Sequence, residues 1–137
     1  SSVLSALALG ADFAYVGTKF IATEEANASP GYKQMIIDST ADDIMYSATF
    51  TGVNGNYLRP SVEAAGLNPE EHTSGSKDDM NFSTSAIAKK DNSSKAWKDI
   101  WGSGQGIGSI KDAPSVQTAV DQMVSEYEEA KSRLDNF

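Results

Sequence analysis

The sequence predicts an α/β fold on three observations. Residues 1–9 (SSVLSALAL) carry an apolar helical stripe through Val3, Leu4, Leu7 and Ala8. A short, mostly apolar run follows, Ala11-Asp12-Phe13-Ala14-Tyr15-Val16, with the look of a strand buried in a parallel sheet. Gly17-Thr18 then opens a second helical stretch, Lys19 to Ala26. Helix, strand and helix in that order form an αβα unit. The 137 residues make one domain the default, because domains run to about 100–200 residues.

Each element has a local cause. Gly10 suits the left-handed position just past a helix. Ser29-Pro30 is a helix start, with serine as N-cap and proline in the first turn. Tyr32, Met35, Ile36 and Ser39 share a face of that helix, which should run to about Ala41. Ile44 to Gly52 is β-branched and aromatic, hence extended, and Asn54-Gly55-Asn56 signals a turn. Arg59-Pro60-Ser61 opens a short helix, Val62 to Ala65, stopped by Gly66. Residues 68–95 are polar and serine-rich, a long surface loop with one helical turn near Ala86 to Lys90. Asp112-Ala113-Pro114-Ser115 enters the last helix. There Val116, Val120, Met123, Val124, Tyr127, Ala130 and Leu134 form one stripe over about five turns.

Composition excludes several chemistries. The absence of cysteine removes disulfides, thiolate metal sites and cysteine nucleophiles. One histidine, His72, removes a multi-histidine metal centre within these residues. A net charge of −8 makes nucleic acid a poor partner. No apolar run reaches the roughly 20 residues that span a bilayer, and no secretory pattern opens the chain, which points to the cytoplasm. Without that signal, the glycosylation-like matches at Asn27, Asn81 and Asn92 are read as chance.

Two stretches hold candidate chemistry. Gly17-Thr18 reads either as an anion cradle, with backbone N–H groups at a helix start, or as a tight turn with a threonine N-cap. Gly102, Gly104, Gly106 and Gly108 surround Gln105, either as backbone folded tightly around something or as a flexible linker. Their spacing is not that of a dinucleotide fingerprint. His72 reads as a solvated loop residue, Asp42-Asp43 as a solvated helix end, and Trp97 with Trp101 as a packing anchor. No nucleophile, general base and orienting group occur together, so no catalytic residue is assigned.

Four segments resemble the nitronate monooxygenases, formerly 2-nitropropane dioxygenases. They are GADFAYVGTKFIATEEA, SPGYKQMIIDSTADDIMYSATFTG, NYLRPSVEAAGLNPEE and KAWKDIWGSGQGIGSI, in that order. The resemblance covers nearly the whole chain and is weakest over Thr73 to Ser94. It implies an FMN enzyme that oxidises alkyl nitronates with molecular oxygen on a TIM-type (β/α)8 barrel beside a smaller α+β domain. Residues 1–28 would be the last helix–strand–helix of the barrel with its phosphate loop, and Ala11 to Val16 strand eight. Residues 29–101 would be the second, lid domain. Residues 102–137 would be a glycine-rich return segment and the C-terminal helix. Tyr15, Val16, Gly17 and Thr18 match the stretch that holds the FMN phosphate, and Gln105 a segment returning towards the flavin. The family's catalytic histidine would lie upstream of Ser1, and His72 does not match it. The sequence therefore reads as the C-terminal portion of a longer enzyme, inactive alone, with a homodimer left open. Two alternatives remain: a flavin-dependent enoyl or quinone reductase on the same barrel, or a non-enzymatic interaction domain that packs on a partner through its last helix.

Overall fold

The computed structural model describes residues 1–50, 53–72 and 96–136. The helical turn expected near Ala86 to Lys90, most of the polar loop, and Asn81 and Asn92 lie outside the described residues, as do the side chains of His72 and Trp97. Six helices occur among the described residues: α1 (Ser2–Ala8), α2 (Thr18–Ile21), α3 (Pro30–Asp38), α4 (Arg59–Ala64), α5 (Ala96–Asp99) and α6 (Val116–Asp135). Two strands, β1 (Ile44–Ser47) and β2 (Gly55–Leu58), pair antiparallel with Ile44 opposite Leu58. The described residues are thus mixed helix and strand, with no parallel sheet among them.

The punctuation read from the sequence is present. Ser29 and Ser115 cap α3 and α6, accepting from Tyr32 N and Thr118 N at 3.2 Å each. Gly10 and Gly66 adopt φ of 93° and 76°. Each closes its helix with the paired backbone bonds of a Schellman turn: Gly10 N to Leu7 O with Ala11 N to Ala6 O, and Gly66 N to Glu63 O with Leu67 N to Val62 O.

Five segments differ from expectation. Ala11 to Val16 is not a strand, and Phe13 and Tyr15 are almost fully exposed. A buried parallel strand needs strands beside it and helices over both faces, and none flanks it among the described residues. Helix α2 ends at Ile21 instead of Ala26 because tertiary bonds take the backbone groups of a longer helix. The Thr23 hydroxyl donates to Phe20 O, Lys33 Nζ donates to Thr23 O (2.6 Å) and Glu24 O (3.0 Å), and Glu24 N donates to Pro114 O. Helix α3 stops at Asp38, and the Asp43 carboxylate, accepting from Thr40 N and Oγ1, starts a separate 3₁₀ turn at Ala41–Asp43. Strand β1 ends at Ser47, whose hydroxyl accepts from Thr49 N and turns the chain, and Gly55-Asn56, expected in a turn, begins β2.

The core has two parts. Ala22, Ile36, Leu58, Ile107 and Ile110 form one, and Met45, Phe50, Val62 and Ile100 the other. The glycine-rich segment belongs to the first. It folds as a 3₁₀ turn, Gln105–Ser109, packed against α2, α3 and the Ala41–Asp43 turn, and it is not a linker. Ahead of it, residues 101–103 run beside β2: Leu58 N donates to Trp101 O and Ser103 N to Asn56 O. A Cβ on Gly102 would stand 3.3 Å from Asn56 O, which explains glycine there. Helix α6 packs on α1 and α2. Its stripe is only partly covered: Ala119 and Ala130 are buried, while Val116, Val120, Val124 and Leu134 remain exposed. No helix among the described residues is long and apolar enough to cross a membrane.

Candidate functional site

The residues singled out in the sequence separate into two groups. Tyr15 is fully exposed and Val16 half-buried, on the stretch without strand partners. Gly17 and Thr18, however, meet the glycine-rich segment 86 residues away. Gly104 N donates to Thr18 Oγ1 at 2.9 Å. Gln105, next in the chain, is exposed and opens the 3₁₀ turn. The two candidate loops are therefore one place in the fold.

That place offers donors. Gly17 is the N-cap of α2, and the N–H groups of Thr18 and Lys19 have no acceptor within the helix ladder. Thr18 Oγ1 already accepts from Gly104 N, so its own proton is left to donate outward. A Cβ placed on Gly17 would meet nothing within 4 Å, so the approach is open. Several donors around an open face match a phosphate group by charge and by hydrogen-bond polarity.

The loop is held from both sides. Lys33 clamps the carbonyls after α2, and Lys19 Nζ reaches Gln122 Oε1 on α6 at 3.5 Å. Glu25 caps α6 through Val116 N, at 3.0 and 2.9 Å from its two carboxylate oxygens. The carboxylate at a helix N-terminus is favoured by the helix dipole as well.

Beside Gly17 opens a cleft of about 810 Å³. Phe20, Ile21 and the Tyr32 and Trp101 rings line it together with the polar Asn27, Ser29, Lys98 and Asp99. Those rings stack at 4.9 Å and 17°. Trp101 packs against the first core, so it is an anchor, as its sequence context suggested. The Tyr32 hydroxyl donates to Gly102 O and so ties α3 to the glycine-rich segment. Sequence reading placed Tyr32 only on a helix face. Its partner is 70 residues away and leaves no local signal. Asp43 caps a turn, and no group of three or more metal-ligating side chains occurs among the described residues.

Burial raises the Tyr32 pKa from its ordinary 10.0. The unfolded phenol ionises first, so stability is fully present below about pH 10. It should fall as the pH climbs from there through the raised folded-state value. Denaturant midpoints compared across this window should show the decline in the wild type. Tyr32→Phe, which keeps the ring on Trp101, should lack it; equal declines in both would assign the effect to another group.

Residues 1–126 match the profile of the nitronate monooxygenase family. The chain belongs to that family. Among solved structures, this nitronate monooxygenase family member is similar to FabK from Thermotoga maritima, at 23% identity and a TM-score of 0.66 over 97% of this chain and 42% of that one. A single-substitution mutant of the same FabK gives 23% identity and a TM-score of 0.67, over 98% of this chain and 40% of that one. The family member described here thus spans less than half the length of those structures and shares their fold over that part. No curated protein matches it.

Proposed function

We propose that this chain supplies the phosphate end of an FMN site in a flavin-dependent oxidoreductase that oxidises alkyl nitronates with molecular oxygen. The observation that carries the reading is the hydrogen bond from Gly104 N to Thr18 Oγ1, which joins the two loops nominated for the cofactor. Membership of the nitronate monooxygenase family supports it. When bound, FMN supplies the redox chemistry, and the protein places it and tunes its surroundings.

In this reading Thr18 donates its hydroxyl proton to a phosphate oxygen. The N–H groups at the start of α2 donate alongside it, and Gly17 leaves room for the phosphate to approach. Tyr15 and Val16 bring the chain to that turn. Gln105, exposed at the start of the 3₁₀ turn, would present its amide towards the flavin. In this reading no residue of 1–137 is assigned the role of proton-abstracting group.

The test is a flavin spectrum of the full-length protein, followed by two assays. Oxygen uptake on an alkyl nitronate without NAD(P)H is the expected result. NAD(P)H oxidation with an enoyl or quinone acceptor, and no nitronate-dependent uptake, would replace the monooxygenase by a reductase. Absence of flavin would leave a non-enzymatic interaction domain.

A further inference from the structure

We propose that Tyr32 and Lys33 are positioning residues for the phosphate site: from consecutive places on α3 they set the spacing of the two loops that form it. The proposal rests on the FMN-site reading for the ligand, and on the bonds of α3 for the geometry. Neighbouring residues on a helix point about 100° apart, so one helix can reach two segments at once. Here it reaches a segment on each side of the bond between Gly104 N and Thr18 Oγ1.

Tyr32 holds the glycine-rich side. Trp101 O accepts from Leu58 N, and Ser103 N donates to Asn56 O, so both face β2. The carbonyl between them, Gly102 O, is taken by the Tyr32 hydroxyl. Gly104 N follows two residues later and meets Thr18. Lys33 holds the other side. Its Nζ donates to Thr23 O at 2.6 Å and to Glu24 O at 3.0 Å. Hydrogen bonds from a cation are about twice as strong as neutral ones. Helix α2 is a single turn, Thr18–Ile21, so Thr23 stands only about 8 Å along the chain from Thr18. A shift at Thr23 is therefore felt at Thr18. The clamp sits at the opposite end of α2 from Gly17, so Lys33 orients the turn without touching a ligand there. Donors grip a ligand well only when placed to within about 0.5 Å, and the two side chains protect that tolerance. Both act on the end of the site that meets phosphate. Their loss should be felt by FMN and not by riboflavin, which lacks the phosphate.

The test titrates the full-length apoprotein with FMN and with riboflavin, reading flavin fluorescence. The wild type should bind FMN more tightly than riboflavin. Tyr32→Phe and Lys33→Met should each weaken FMN binding about 3- to 30-fold. Each should change riboflavin binding by less than about twofold. In a Thr18→Val background the further loss of FMN affinity should also fall below about twofold, because the hydroxyl they position is gone. Tyr32→Phe keeps its ring stacked on Trp101, so it carries the test if Lys33→Met does not fold. FMN constants unchanged in folded variants overturn the proposal. So does an equal loss for both flavins, which marks a structural role, or a full loss that persists beside Thr18→Val. Each of these leaves the FMN-site reading standing when the wild type prefers FMN. A wild type that binds both flavins alike removes that reading itself, and this proposal with it.

Discussion

Replacing Ile107 with alanine is expected to destabilise the protein by about 2–5 kcal/mol. Ile107 is fully buried in the first core with Ile36 and Leu58. It sits on a short 3₁₀ turn between glycines, held against α2 and α3. Truncation removes apolar surface and leaves a cavity that this turn can collapse into only partly. Ile107→Val, which deletes one methyl, should cost about 0.5–1.5 kcal/mol. Urea unfolding of the two variants beside the wild type measures both. A glycine-rich segment acting as a linker would make either change nearly silent, within about 0.5 kcal/mol.

The second large effect concerns Thr18. Thr18→Val keeps the shape and removes the hydroxyl. A hydrogen bond to a charged group contributes about 1.5–3 kcal/mol, so FMN affinity in the full-length protein should fall about 10- to 150-fold. Thr18→Ser should recover most of it. Flavin fluorescence titration of the apoprotein gives both constants. Overall stability should change little, because Gly104 is exposed and its N–H can turn to water. A Thr18→Val constant within twofold of wild type would remove Thr18 from the phosphate site.

Much of the fold is legible in the sequence where the cause is local. Ser29-Pro30, Gly10, Gly66 and Ser115 each act within one helical turn, and each forms the cap or stop that its chemistry predicts. The failures are non-local. Ala11 to Val16 has a strand's composition, but a strand exists only through neighbours. Gly55 to Leu58 has turn residues at its start, yet pairs with β1 on one side and lies beside Gly102 on the other. Helix α2 ends where Lys33 and Pro114 claim its carbonyls and amide, and neither is adjacent in sequence.

The candidate site divides in the same way. Gly17-Thr18 and the Gln105 segment each carry a local signature. That they meet depends on a bond between residues 86 apart, which no spacing encodes. Tyr32 was invisible as a site residue because an aromatic on an amphipathic helix is ordinarily core. Its hydroxyl and its stack on Trp101 emerge only from the packing of α3.

The open stretch before α2 has a colloidal consequence. Asp12 to Val16 make no backbone hydrogen bond to other described residues, and Phe13 and Tyr15 stand beside those free groups. Two copies of this polypeptide could zip together there, edge to edge. Mutual repulsion from the net charge of −8 opposes that encounter. Its reach shrinks from about 30 Å in 0.01 M salt to about 3 Å in 1 M. Isolated residues 1–137 should therefore stay dispersed in dilute buffer and self-associate as salt is added.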